Sequence, residues 1–309
     1  MGKKKGKKKA KKEQRAAEKA AEKAAADAVA AKLDDLFTTR VKNELDTSDL
    51  FAPPPPKEEC PLCFLPMIGP PDDSRYMECC GKVICFGCSM ENKRIIANIN
   101  AKRMEEEKQT GIKAIMMEET CAFCREPVAA GCEEMMLRAE KRMAINDPFA
   151  CYHVGGCYGD GRWGRQVDGL KALDLFHRAA ELGLPGAFAE IGRYYERDTV
   201  VKKDLAKFRA FFAIAAIKGS LYARDYLGTF EYRQGNTDIA LRHWRLSAAA
   251  GYQDSLERLR AEVMKGKFGA DEYALTLQPF LTSYGEMKSE ARVRFEKQIE
   301  TIANNRQGI

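Results

Sequence analysis

Glycine, aromatic and small residues recur in a fixed order in the second half of the chain. Gly183, Gly219 and Gly251 are 36 and 32 residues apart, beside a second glycine series at 155, 192 and 228 with spacings of 37 and 36. Seven positions before each glycine of the first series lies an aromatic residue, and three positions before it an alanine: Phe176, Phe212 and Trp244 with Ala180, Ala216 and Ala248. This order predicts two antiparallel helices per unit, with small residues at the contacts and glycine ending the second helix in a left-handed turn.

Such a hairpin cannot bury its apolar face alone, so the units are expected to stack into an α-solenoid over residues 131–270. The third unit departs from the pattern at Glu231, and a degenerate fourth unit covers about residues 255–268. Residues 271–309 are predicted to form closing helices and a tail, with Pro279 as a helix break.

The motifs of these units resemble a known family of repeats. The segments ACYHVGGCY and AFAEIGRYY fit A-x4-G-x2-Y, and FHRAAELG, FAIAAIKG and WRLSAAAG fit aromatic-x2-[AS]-A-x2-G. Both patterns resemble Sel-one-like repeats, the relatives of tetratricopeptide repeats. The resemblance implies a solenoid that binds proteins, usually through a concave face. His153, His177 and His243 are isolated in this region, so we predict packing or surface roles for them rather than catalysis.

Residues 57–130 have a different character, because cysteines, glycines, prolines and charges replace the apolar repeat. Eight of the eleven cysteines lie here, as three C-x-x-C pairs and one adjacent pair: Cys60 and Cys63, Cys79 and Cys80, Cys85 and Cys88, Cys121 and Cys124. A C-x-x-C turn directs two thiolates to one point, and two such pairs complete a tetrahedral zinc site. Without a secretion signal, eight cysteines predict two structural zinc ions rather than disulfides.

The segments CPLC, CCGKVIC and CAFCREP resemble a RING finger in their spacing. The resemblance implies a cross-brace α+β module, in which the first ion is held by Cys60, Cys63, Cys85 and Cys88 and the second by Cys79, Cys80, Cys121 and Cys124. The family usually has a histidine where this chain has Lys82, so Cys79 would have to substitute for it. Gly81 would then permit the turn that brings both adjacent sulfurs inward.

The same resemblance implies a function. RING ubiquitin ligases bind a ubiquitin-conjugating enzyme and hold its ubiquitin thioester in a reactive pose, without a covalent intermediate of their own. Leu62 would supply a hydrophobic contact to that enzyme, and Arg125 would donate hydrogen bonds to the enzyme and to ubiquitin. The leading hypothesis is a ubiquitin-protein ligase or ligase subunit, with the solenoid binding a substrate that the sequence does not name. The alternative is a non-catalytic protein-interaction adaptor with structural zinc.

The 32 residues between Cys88 and Cys121 are charged and poor in glycine and proline up to Gly111. They are predicted to form a helix followed by a short second helix. A spacer helix is the favoured interpretation of this insert. The alternative is that its apolar residues pack on the zinc module: Ile95, Ile96, Ile99 and Met104.

Residues 1–56 carry the positive charge of the chain. Of the net charge of +6, residues 1–32 contribute +8, from 12 basic and 4 acidic residues, and the remainder contributes −2. Eight of the ten residues from 3 to 12 are lysine, a block that repels itself and is predicted to be disordered. A helix or coiled coil rich in Ala, Glu and Lys is predicted from there to about residue 45, without a required partner, before the stiff spacer Pro53–Pro56.

Three interpretations of the lysine block stay open: a solvated tail, a nuclear-import signal, or contact with nucleic acid or anionic lipid. The sequence does not favour nucleic acid as a partner, since no aromatic residue lies among the lysines to stack on a base. No stretch reaches the roughly 20 consecutive apolar residues of a membrane helix. The prediction is therefore a mainly α-helical protein of the cytoplasm or nucleus, with a basic arm, a two-zinc module and a solenoid.

Overall fold

A computed structural model describes the main chain of residues 49–68 and 74–307 and a discontinuous set between 14 and 38. It is mainly helical with one small sheet, which confirms the predicted fold class. Strands β1 (Ser74–Met77) and β2 (Lys82–Cys85) pair antiparallel with Ser74 opposite Cys85. Within these ranges no helix combines the length and apolar character needed to cross a membrane. The lysine block lies outside the described residues, so its interpretations stay predictions.

The helices after the sheet form one long helix, a short connector, a stack of hairpins and a final helix. They are α1 (Phe86–Thr110), α2 (Cys132–Ala144), α3 (Pro148–Asp160), α4 (Gly169–Glu181), α5 (Pro185–Arg197), α6 (Leu205–Ile217), α7 (Leu221–Arg233), α8 (Thr237–Ala249), α9 (Gln253–Met264), α10 (Ala270–Glu286) and α11 (Glu290–Gln307). Helices α3–α4, α5–α6, α7–α8 and α9–α10 pair as consecutive hairpins and form the solenoid. Residues 57–130 are called the cysteine module below.

The two glycine series have separate structural roles in the hairpins. A Cβ atom added at Gly155 would lie 3.1 Å from the Phe176 ring. A Cβ atom at Gly192 would lie 2.7 Å from the Phe212 ring, and one at Gly228 would lie 2.6 Å from the Trp244 ring. The aromatic ring of each second helix therefore rests on a bare glycine of the first helix. The glycines that follow the second helices have left-handed backbone conformations, with φ of 92°, 102° and 94° at Gly183, Gly219 and Gly251. Both features are as the sequence pattern predicts.

The N-terminal segment packs on the solenoid, which corrects the expectation that it needs no partner. Its described residues between 14 and 36 are helical, and Leu33 and Leu36 are buried in the same apolar cluster as the α6 residues. His177 donates from Nε2 to the carbonyl of Lys32 at 3.1 Å. The physical reason lies in α6, where the consecutive residues 211–216 are all buried, so this part of the helix is covered on every side.

Residues 49–56 continue along the solenoid toward the cysteine module. Arg224 of α7 is fully buried and donates to the carbonyls of Leu50 at 2.6 Å and Ala216 at 3.1 Å. The ring of Phe51 lies 5.0 Å from that of His243, and the Arg242 guanidinium lies 3.8 Å from the Phe51 centroid. The segment is thus a bound part of the fold as well as a spacer.

The cysteine module contacts both ends of the solenoid. At the first end, Tyr76 of β1 donates to Asp147 Oδ2 at 3.0 Å and stacks on His153 at 4.9 Å between ring centroids. Asp147 also caps α3 by accepting from the backbone N–H of the second and third residues that follow it. At the last end, Phe86 of α1 stacks on Phe295 of α11 at 5.4 Å. The module therefore bridges the first hairpin and the final helix.

Two predictions of local structure are wrong. Residues 112–119 are extended rather than helical, because Gly111 ends α1 with φ of 71° and polar side chains of α1 bind the main chain that follows. The exposure of α1 fits the favoured spacer helix better than packing on the module, since Ile96 is buried but Ile95 and Met104 are about half exposed. Pro279 lies inside α10 and does not end it. Pro279 and Leu275 are exposed, so water can bind the Leu275 carbonyl that the proline leaves without a donor.

Candidate metal centres

The eight cysteines of the module meet in two groups of four. The sulfur atoms of Cys60, Cys63, Cys85 and Cys88 lie within 4.8 Å of one another, as do those of Cys79, Cys80, Cys121 and Cys124. Individual Sγ–Sγ distances are 3.9 Å between Cys63 and Cys85 and 3.5 Å between Cys79 and Cys124. Tetrahedral sulfur ligands at the Zn–S bond length of about 2.3 Å are expected roughly 3.8 Å apart. Each group could therefore hold one metal ion.

Two of the cysteine pairs lie in turns with the same hydrogen bonds. In the first, Cys60 N–H donates to the carbonyl of Leu65 at 3.0 Å, and Phe64 N–H donates to that of Cys60 at 2.8 Å. In the second, Cys121 N–H donates to the carbonyl of Glu126 at 2.7 Å, and Arg125 N–H donates to that of Cys121 at 3.1 Å. A short antiparallel bridge closes each turn, Glu59 with Pro66 and Thr120 with Pro127. The backbone alone thus aims both sulfurs of each turn to one side.

The other two pairs are aimed by a helix start and a β-turn. Cys85 caps α1, and its sulfur accepts from the N–H of Cys88 at 3.3 Å, at the helix end that favours negative charge. Cys79 and Cys80 lie in the β1–β2 turn, where the N–H of Gly81 donates to the Met77 carbonyl at 2.8 Å. Gly81 has φ of 72°, the conformation expected of it. Because the adjacent cysteines lie in a turn and not in a strand, both sulfurs reach the same group.

Burial and hydrogen bonds change the acidity of the clustered thiols. Burial raises the pKa of Cys80 to about 11 and that of Cys88 to about 12. In the first group, the hydrogen bond from Cys85 lowers the pKa of Cys60 to about 4, and the same bond raises the pKa of Cys85. A divalent ion that prefers sulfur would stabilise all four thiolates of a group, so the donor set fits zinc.

Arg292 of α11 contacts the first cysteine turn, which the sequence pattern does not reveal. Its guanidinium donates to the carbonyls of Pro66 at 2.6 Å and Leu65 at 3.2 Å, and to the sulfur of Cys63 at 3.6 Å. Helix α11 can lie close to the start of α1 because residue 87 is glycine. A Cβ atom at this position would lie 2.7 Å from the backbone nitrogen of Arg292. The final helix of the chain thus supports a cysteine group 229 residues away.

Leu62 and Arg125 occupy different surroundings on the module. Leu62 is half-buried and packs against the core that surrounds the cysteines. Arg125 is exposed, has φ of 67°, and donates from Nη1 to Asn92 Oδ1 of α1 at 3.0 Å. Neither residue contacts the solenoid through any hydrogen bond described here.

A groove of about 750 Å³ lies between the cysteine module and the first helices of the first two hairpins. Its walls are β1 and Phe86 on one side and residues of α3 and α5 on the other, including Tyr152 and Tyr194. Across the hairpins, half-buried tyrosines of the first helices form a set that we call the tyrosine stripe: Tyr152, Tyr194, Tyr222 and Tyr226. The groove does not follow from the repeat pattern, because it depends on how the module docks.

Comparisons with known proteins yield only solved structures. No protein-family model matches the chain, and no curated protein matches it significantly. A Sel1 repeat protein from Oxalobacter formigenes is 26% identical over 52% of this chain and 64% of its own, with a TM-score of 0.41. The antigen c5321 of uropathogenic Escherichia coli, which displays an SLR fold, is 23% identical over 51% of this chain and 34% of its own, with a TM-score of 0.41.

The immunity protein Pa5087 from Pseudomonas aeruginosa is 20% identical over 52% of this chain and 60% of its own, with a TM-score of 0.39. The chain thus spans less than two thirds of the length of each of these three structures.

Proposed function

We propose that the protein is a protein-interaction scaffold whose cysteine module is held by two structural zinc ions. In this proposal residues 57–130 form the zinc-binding module and 131–270 the binding solenoid, residues 1–56 are the basic arm and spacer, and residues 271–309 are the closing helices and tail. All eight clustered cysteines would serve as ligands: Cys60, Cys63, Cys79, Cys80, Cys85, Cys88, Cys121 and Cys124. Four thiolates close each tetrahedral site, so zinc would stabilise the fold and not activate water.

The observation that carries the proposal is the tyrosine stripe. Tyr226 donates to Glu196 at 2.7 Å, and its ring lies 5.9 Å from that of Tyr222 and 4.9 Å from that of Phe212, so the rings are held in place. Rigid, half-exposed tyrosines lose little entropy on binding and are enriched in protein interfaces. In contrast, His177 and His243 are buried and His153 is half-buried, and each of them lies in a packing contact.

Site-specific photocrosslinking tests this function. A photoreactive residue at Tyr222 should form covalent adducts with a distinct partner polypeptide in cells, whereas the same residue at Arg245 on the second helix α8 should not. Tyr226→Ser should weaken the Tyr222 adducts. Identical adducts from both positions, or none from Tyr222, would show that the stripe is not a binding face. Metal analysis should in parallel find two zinc ions per purified chain.

Ubiquitin transfer is the second candidate function. Its support is the exposed Arg125, which is held against α1 by Asn92 in the second cysteine turn, together with Leu62 in the first. In a ligase this pair would contact the conjugating enzyme. A self-ubiquitination assay with a panel of conjugating enzymes should then give products that Arg125→Ala abolishes and Arg260→Ala retains. Absence of product with every enzyme, from zinc-loaded folded protein, would leave the non-catalytic scaffold.

A further inference from the structure

The groove between the cysteine module and the solenoid has features beyond those that the fold requires. Helix α3 contains three glycines in its last six residues, GGCYGD, although glycine in a helix costs about 1 kcal/mol relative to alanine. The repeat packing accounts for Gly155. At Gly156 a Cβ would lie 2.7 Å from the Arg162 guanidinium, and at Gly159 it would lie 3.2 Å from the Tyr194 hydroxyl. These two glycines let an arginine and a tyrosine lie directly across the groove floor.

The charges along the groove are unevenly paired. Asp160 pairs with Arg162 at 3.2 Å, and both oxygens of the half-buried Glu190 accept from Arg193 at 3.2 and 3.3 Å. Burial also raises the pKa of Glu190.

Two other arginines line the groove without a carboxylate partner in the described part of the chain: Arg75 on the module wall and Arg197 on the solenoid wall. Glu78, the remaining acidic residue of the lining, is buried and lies near Arg138. The accessible charge of the groove is therefore cationic and present on both walls.

Two shielded polar atoms also line the groove. Ser74 is 5% exposed, and its Oγ atom has no hydrogen-bond partner among the described residues. The Nε2 atom of His153 is also shielded and has no hydrogen-bond partner among the described residues. Burial lowers the pKa of His153 to about 4, so its ring is neutral at pH 7 and is not itself a charged binding group. Unpaired buried polar atoms are costly, and those beside a cleft are suited to hydrogen-bond a ligand.

Building on the proposed scaffold function, we propose that this groove binds a short segment of a partner protein that carries Asp or Glu side chains. Arg75 and Arg197 bind its carboxylates from opposite walls, and Ser74 Oγ and His153 Nε2 bind its main chain. The rings of Tyr152, Trp163 and Tyr194 contact the apolar parts of the segment. A volume of about 750 Å³ lies within the range of roughly 300–1,000 Å³ found for ligand sites. Binding requires the cysteine module, because that module supplies one wall.

Selection from a phage-displayed library of random dodecapeptides on the zinc-loaded full chain tests this inference without assuming a sequence. Wild-type protein should enrich peptides with Asp or Glu at fixed positions. The double variant Arg75→Glu, Arg197→Glu should lose that enrichment, and a matched double variant at exposed sites outside the groove, Lys108→Glu, Arg260→Glu, should retain it. Both variants should keep the zinc content and helical circular dichroism of the wild type.

Fluorescence anisotropy measures the dissociation constant of the selected peptide and shows how much its carboxylates contribute to binding. Replacing its Asp and Glu residues with Asn and Gln should raise the dissociation constant at least tenfold for wild type and little for the groove variant. Enrichment without acidic residues, enrichment that survives the groove substitutions, or no enrichment at all would overturn the inference.

Tighter binding of a single-stranded 12-nucleotide RNA, lost in the same variant, would assign the groove to nucleic acid instead and would likewise overturn it. If the groove assays fail while the Tyr222 crosslinks persist, the scaffold function stands and only this inference falls.

Discussion

The cysteine module and the solenoid reach stability by different means. The apolar core of the module is small, and its buried residues include three of the cysteines themselves, Cys60, Cys85 and Cys121. The solenoid has a continuous apolar cluster that runs from α3 to α7 and includes Leu33 and Leu36 of the N-terminal segment. A module this poor in core needs crosslinks or metal, whereas the hairpins are stabilised by packing alone. Metal loss should therefore unfold the cysteine module first, whereas packing defects should destabilise the solenoid first.

The largest expected effect is that of zinc removal. Structural zinc sites contribute about 10–16 kcal/mol of apparent binding free energy that is coupled to folding. A strong chelator should release both ions and abolish amide-exchange protection in β1 and β2, while most helical circular dichroism remains. Cys63→Ser should release one ion, and Cys132→Ser, which lies outside both groups, should release neither. If amide-exchange protection of β1 and β2 persists in chelator, the cysteine module does not depend on metal for its stability.

Truncation of Leu33 should have the next largest effect. Leu33 is fully buried in the solenoid cluster, so Leu33→Ala should lower the free energy of unfolding of zinc-loaded protein by about 3 kcal/mol. Urea denaturation followed by circular dichroism measures the change. The exposed Lys23→Ala is the control and should stay within about 0.5 kcal/mol. Equal stabilities for the two variants would mean that the N-terminal segment does not belong to the core.

Arg292 couples the two regions, so its removal should be detected at the metal. Arg292→Ala should weaken zinc binding at the first cysteine group about 10- to 100-fold, the usual effect of losing a residue that orients metal ligands. Competition with a chromophoric chelator should show one weakened ion and one unchanged ion. Arg294→Ala, on the same helix but in an exposed ion pair with Glu91, should leave both affinities unchanged. Weakening by both variants would indicate a general loss of structure instead.

The smallest expected effect is that of one methyl group in the repeat packing. Gly192→Ala places its Cβ 2.7 Å from the Phe212 ring and should destabilise the solenoid by about 2 kcal/mol. Gly285→Ala, in open space on helix α10, should instead stabilise by up to about 1 kcal/mol. Thermal unfolding should show a lower melting temperature for Gly192→Ala and a higher one for Gly285→Ala. Phe212→Leu should partly restore the Gly192→Ala variant, and a lack of restoration would exclude the ring as the cause.

Local spacing predicts the parts of the structure that depend on neighbours in the chain. A C-x-x-C turn needs only a few backbone hydrogen bonds to aim both sulfurs, so each cysteine pair is visible in the sequence. Glycine at 183, 219 and 251 is likewise required by a local backbone conformation. The aromatic–glycine contact is longer in range, but its repetition over three units makes it recognisable.

Predictions failed where a distant or solvent environment decided the outcome. Pro279 would end an isolated helix, but an exposed position with access to water lets α10 continue. The alanine-rich N-terminal segment contains too few apolar residues to reveal a partner, and its contact with the solenoid cluster depends on the folded surface of the hairpins. Arg292 stands in a polar helix whose sequence does not mark it as part of a metal centre.

The amino-acid sequence by itself determined the four cysteine pairs, the hairpin repeat and the glycine turns, because each depends on residues at short or regularly repeated separations. Only the tertiary structure decided that the cysteine module bridges both ends of the solenoid, that Arg292 supports a cysteine turn, and that Arg75 and Arg197 line one groove. Those arrangements join residues 71 to 229 positions apart, and the free energy that selects them comes from burial and charge pairing between complete surfaces, which no local pattern encodes.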